Sequence, residues 1–246
     1  MELKIKDLTF KVFFNDIIEE KDINYVHISK EKVFTEKAKA IIKEKWADKE
    51  KTGAYDGDIY EIIDAKFENG KLNIYFDYTK YSYTLVNRNP DYLNEKCYVT
   101  NHIATQTIIK TKDNKFPIIS TKLPHYKFVG GYWEKGCKTI SENSFKEIEE
   151  ETGLNTQLSN FKILGIATQN NSTAITTLVD CALTSNEVLE FIKNNKNNIK
   201  DLAESSGDFK FIDLSIGAID DFLNSSDVKF GGMTTFGLHN AKRIIS

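Results

Sequence analysis

Apolar and polar residues nearly alternate across residues 2–13. Leu3, Ile5, Leu8, Phe10 and Val12 mark the period of a half-buried strand, or of two strands joined at a bend. Across 30–50 the period lengthens. Phe34, Ala38, Ile41, Ile42 and Trp46 fall on one side of a helix, and Trp46 reads as an anchor of that helix in a core. The stretch KTGAYDGD at 51–58 breaks the helical pattern. Alternation then returns over 59–67 and 71–78, on either side of Asn69-Gly70, which is a strong hairpin signal. Together these segments predict a small α+β unit over 1–95, with nothing catalytic in its composition.

A second pattern begins past residue 95. Strands are expected at 102–110 and 116–122 around the turn Asp113-Asn114, and at 161–169 and 174–183 around Asn170-Asn171. A helix follows at 186–203, frayed by KNNKNN, then a strand at 209–214 and helices at 216–224 and 233–245. Strands interleaved with helices on this scale predict an α/β domain over 96–246, with a mixed sheet between helical layers.

Composition narrows the class. With 246 residues, 40% hydrophobic content, 16 Phe and 11 Tyr, the chain can build a real core. A net charge of −3 gives no general attraction to nucleic acid or to an anionic membrane. No apolar run is long enough to span a bilayer, and the opening MELKIKDLTF lacks a hydrophobic signal core, so a cytoplasmic location is expected. Cys97, Cys137 and Cys181 are odd in number and widely spaced, which points to free thiols. His27, His102, His125 and His239 show no metal-ligand spacing.

Residues 130–154, GGYWEKGCKTISENSFKEIEEETGL, carry the chemistry. On a helix, Glu147, Glu150 and Glu151 share one face. Clustered carboxylates raise one another's pKa and need either solvent screening or a divalent cation, and such hard oxygen donors suit Mg²⁺ or Mn²⁺. Ser141 or Ser144 is placed to cap the helix start, the latter in a capping box with Glu147, and Gly153 is placed to stop it. Phe145 and Ile148 lie on the opposite face as core anchors. Gly130, Gly131 and Gly136 make a loop whose backbone can approach a ligand closely. Read without that loop, EIEEE is an ordinary solvated helix face.

This order of parts resembles the Nudix box. The span from Lys146 to Leu154 matches its second half, and Gly130, Gly131, Glu134 and Gly136 match a common opening. Three departures stand out: Cys137 occupies the position of the first Glu, Lys146 replaces the Arg, and one extra residue separates the halves. Lys146 keeps the charge but cannot grip a carboxylate in a planar, two-pronged contact. The segment ahead of the box is also loosely similar, in its order of elements, to that of UDP-sugar-hydrolysing members.

The resemblance implies an α/β/α sandwich with a mixed sheet. It also implies a hydrolase that cuts the pyrophosphate of a nucleoside diphosphate linked to another moiety, yielding a nucleoside monophosphate and a phosphorylated product. A nucleotide sugar is preferred over ADP-ribose or a dinucleotide. The implied metal ligands are Glu147, Glu150 and Glu151. The catalytic set is Glu150, Glu151 and Lys146, with Glu204 as a candidate base in a late loop. The substrate-binding set is Gly130, Gly131, Tyr132 and Trp133, with Tyr126, Lys127 and Lys135 nearby. The expected ligand is a small nucleoside diphosphate derivative, with no nucleic-acid or membrane partner, bound by a monomer or homodimer. The alternative is a catalytically weak Nudix-fold sensor that binds a nucleotide without cutting it.

Overall fold

The computed structural model describes residues 1–120, 125–200, 208–225 and 228–245. The first segment forms β1 (Glu2–Ile5), β2 (Leu8–Phe14), β3 (Ile23–His27), α1 (Glu36–Glu50), β4 (Asp58–Glu68), β5 (Lys71–Lys80) and the short helices α2 (Tyr81–Thr84) and α3 (Pro90–Asn94). The second forms β6 (His102–Lys110), β7 (Lys115–Ser120), β8 (His125–Lys127), α4 (Ile140–Thr152), β9 (Leu158–Gln169) and β10 (Ser172–Cys181). It ends with α5 (Ser185–Asn195), β11 (Phe209–Asp213), α6 (Ile216–Asn224), β12 (Lys229–Phe230) and α7 (Gly232–Arg243). The β4–β5 hairpin turns at Asn69 and Gly70, both at positive φ (53° and 74°), as the dipeptide predicts. Thr35 caps α1 by accepting a hydrogen bond from the Ala38 N–H.

The fold is mixed α/β with two mixed sheets, compatible with an α/β/α sandwich. The larger sheet has eight strands in the order β1-β2-β9-β10-β6-β4-β5-β3, and the smaller has four, β11-β7-β8-β12. Neighbouring residues of β6 show how helices cover both faces. Ile108 packs in a cluster with Leu223 of α6 and Leu238 of α7, while Ile109 packs with Ile148 of α4 and Val188 of α5. Successive strand side chains point to opposite faces, so α4 and α5 lie on one side and α6 and α7 on the other. The strand order runs across residue 95: β1 and β2 pair outward from β9, and β4, β5 and β3 continue outward from β6.

One joint in the large sheet sets up the site. β4 and β6 pair only at Glu61 and His102 and then splay apart. The chain after β8 fills the gap: Val129 bridges Thr107, Tyr132 bridges Ala104, and Glu134 bridges Ile59. Its backbone is hydrogen-bonded on both sides, from the Thr105 N–H to the Gly131 carbonyl and from the Tyr60 N–H to the Trp133 carbonyl. The glycine loop is therefore held as an irregular strand between β6 and β4, with α4 beside it. Among the described residues, no helix is long and apolar enough to cross a membrane.

Candidate active site

Helix α4 starts earlier than the serines suggest. Its cap is Thr139, whose hydroxyl accepts from the Glu142 N–H, and not Ser141 or Ser144. Ser144 lies buried inside the helix, 3.4 Å from the Thr177 hydroxyl, where it has no end to cap. The Thr-x-x-Glu spacing of Thr139 and Glu142 is the capping pattern that locates this start. At the other end Gly153 adopts φ 72°, and its N–H donates to the Glu149 carbonyl, as a left-handed stop requires. Ile148 is fully buried, and Phe145 packs against the same cluster.

The opposite face of α4 brings Glu147, Glu150 and Glu151 to a cavity of about 900 Å³. Each carboxylate is treated differently. Glu151 accepts from the Lys127 ammonium at 2.5 Å and from the Gly130 N–H at 2.9 Å. Glu150 pairs with Lys200 at 2.5 Å and with Lys146 at 3.5 Å. Glu147 is buried, has Lys146 only at 4.0 Å, and receives no hydrogen bond among the described residues. Burial pushes its pKa up to about 8, Lys146 opposes the shift, and repulsion from Glu151 and Glu150 adds to it.

Two glycines make this possible. Gly130 has φ 148°, and a Cβ there would sit 2.1 Å from the Thr105 carbonyl oxygen, so only glycine lets the loop lie this close to β6. A Cβ on Gly131 would sit 2.3 Å from the Glu147 carboxylate, so that carboxylate rests in space a side chain would fill. Fully buried Asn143 ties the parts together, accepting from the Glu134 N–H and donating to the Thr105 hydroxyl. Lys146 donates to Glu134 at 2.7 Å, a one-pronged contact that adds to these links between helix and loop.

A buried carboxylate with no donor against it among the described residues, beside two more carboxylates at a cavity, is a donor set whose chemistry fits a hard divalent cation. Among the described residues, however, no three acidic, His or Cys groups converge as a formed metal site. Lysine ammonium groups pair with Glu150 and Glu151 in this arrangement.

The remaining expected residues divide. Tyr132, Lys127, Lys135, Gly130 and Gly131 line the cavity. Trp133 does not: it is fully buried, its ring stacked 4.1 Å from that of Tyr60 and its indole N–H donating to the Cys137 carbonyl. Its apolar bulk went to the core, which strand alternation beside half-buried Tyr132 would have indicated. Tyr126 packs against Phe222 in the cluster under α6. Glu204 lies outside the described residues. The cavity also contains Tyr55, Asp58, Tyr81 and Lys200, for which no local motif exists because they reach it from distant parts of the chain.

No protein-family model matches the chain, and no curated protein matches it. Among solved structures, a hydrolase of the NUDIX family from Clostridium perfringens is similar over 59% of this chain and 98% of that one, at 14% identity and a TM-score of 0.39. A likeness at that level establishes neither membership nor activity.

Proposed function

We propose that the cavity is the active site of a Mg²⁺-dependent hydrolase that cleaves the pyrophosphate of a nucleoside diphosphate linked to another moiety, with a nucleotide sugar preferred. One observation carries this reading: the buried Glu147 carboxylate, which receives no hydrogen bond among the described residues and is seated on the Gly131 backbone beside Glu150 and Glu151. A buried carboxylate costs several kcal/mol unless a cation or a proton accompanies it. Glu147, Glu150 and Glu151 would hold Mg²⁺ or Mn²⁺, which in such sites neutralises phosphate charge and lowers the pKa of water.

The chain's own groups supply the rest. Lys127, Lys135, Lys146 and Lys200 line the same cavity and give a diphosphate four ammonium groups to approach. Lys146 keeps Glu134 against the helix and so holds the loop in place. Gly130 presents its N–H to Glu151, which fixes that carboxylate at the mouth of the loop.

Incubating the protein with nucleotide sugars, ADP-ribose, NAD and dinucleoside polyphosphates in Mg²⁺ or Mn²⁺, with chromatography of the products, tests the reading. Turnover of at least one compound, lost in Glu150→Gln, is the expected result. Equal turnover by Glu150→Gln removes the metal assignment, and no turnover of any compound removes the hydrolase.

A further inference from the structure

The cavity has a second wall, built by residues before position 95, that the carboxylate chemistry leaves unexplained. Tyr55 lies on the loop between α1 and β4 and is 85% exposed, yet it lines the same cavity as the glutamates. Its ring has no aromatic partner among the described residues, so packing does not account for it. The loop is shaped around that ring: a Cβ on Gly57 would meet the Tyr55 ring at 3.3 Å, and glycine gives the ring room to lie over the backbone. Tyr81 and Tyr132 line the cavity too, with ring centroids 5.4 Å apart at 60°. Each is braced from behind, Tyr81 edge-on by Trp46 at 6.2 Å and Tyr132 edge-on by His102 at 5.1 Å. Tyr132 follows Gly131, the residue that seats Glu147, so the aromatic wall begins one residue from the carboxylates.

We infer that Tyr55, Tyr81 and Tyr132 form a subsite for a planar nucleobase, with Tyr55 as the ring that stacks on it and the braced pair as the opposing wall. The inference rests on the cavity being a nucleotide site, as proposed above, and adds which segment selects the ligand. A flat π-face against tyrosine rings gains affinity whatever the base, and a largely exposed ring loses little by being covered. A cavity of about 900 Å³ holds a ligand of nucleotide-sugar size, with its phosphates among the lysines and its base at the tyrosines.

The test is calorimetric titration of the full chain in EDTA with adenosine 5′-diphosphate, uridine 5′-diphosphate and inorganic pyrophosphate. At least one nucleotide is expected to bind tenfold or more tightly than pyrophosphate. Tyr55→Ala should weaken that nucleotide on the order of tenfold and leave pyrophosphate unchanged, while Tyr55→Phe keeps the affinity. Because Tyr55 is exposed, neither variant should disturb folding. The subsite is overturned if no nucleotide binds more tightly than pyrophosphate, or if Tyr55→Ala weakens both alike. Base-dependent binding without Mg²⁺-supported turnover would keep the subsite and discard the hydrolase. Turnover without base-dependent binding would do the reverse.

Discussion

Glu147 shows how one side chain can be poor for stability and yet, in the proposed hydrolase, be required for turnover. Its folded pKa of about 8 lies above that of an unfolded carboxyl, so the folded chain holds the extra proton at low pH. In metal-free buffer the stability that this proton provides is complete below about pH 4.5 and is lost as pH rises through about 8. Glu147→Gln should therefore raise the metal-free melting temperature at pH 8.5 while cutting hydrolysis at least a hundredfold. Mg²⁺ should stabilise the wild type in the same assay and leave the variant unmoved; a variant melting below wild type in EDTA would contradict the buried-charge account. His102 titrates the other way. Burial, and then the Arg88 charge, hold its pKa down to about 4, and its ring lies against the Ser172 hydroxyl at 2.7 Å. Because the folded value is below the unfolded one, its contribution is complete above about pH 6.5 and is lost as pH falls through about 4. The difference in unfolding free energy between wild type and His102→Asn should shrink by roughly 3 kcal/mol between pH 7 and pH 4. Urea titrations at the two pH values check this, and a pH-independent difference would rule out a neutral buried imidazole.

The glycine loop and α4 act as one element, and neighbouring substitutions in the loop should separate folding from chemistry. Gly130→Ala drives a Cβ into the Thr105 carbonyl, a backbone atom that cannot step aside, so it should cost roughly 1–3 kcal/mol of stability. Gly131→Ala meets only the end of the Glu147 side chain, which can move. It should leave thermal stability nearly unchanged and lower turnover and Mg²⁺-dependent stabilisation at least tenfold, and equal losses of stability in the two variants would break the distinction. Elements of this size were largely legible in the sequence. The Asn69-Gly70 hairpin and the Gly153 helix stop formed as their residues dictate, because turn and cap chemistry is local. The helix start was misplaced because Ser144 and Glu147 offer the same spacing as Thr139 and Glu142, and what separates them is tertiary packing: Ser144 is buried inside the helix near the Thr177 hydroxyl. Trp133 was drawn to the ligand by its position in the loop, whereas that segment is held as a strand and sends it to the core.

For the whole molecule, periodicity reveals each strand but not its neighbours, since pairing is decided between segments far apart in sequence. The hydrophobic alternation of 59–67 and 71–78 is equally satisfied in a separate small sheet and in an extension of a larger one. In the structure β2 covers the edge of β9, β4 continues the sheet from β6, and Tyr60 and Phe76 share one core cluster with Trp133 and Ile140. The cavity likewise takes Tyr55, Asp58 and Tyr81 from the first segment and the glutamates from the second. A fragment of residues 96–246 would leave β9 and the irregular strand around Trp133 as open sheet edges and strip Tyr60 and Phe76 from Trp133, which invites aggregation in place of folding. Expressed alone, the fragment is therefore expected to aggregate or to show no cooperative thermal transition by circular dichroism, where the full chain shows one. Should it instead unfold cooperatively and hydrolyse a substrate of the full chain at an unchanged rate, residue 95 is a true domain boundary and the tyrosine wall takes no part in the reaction.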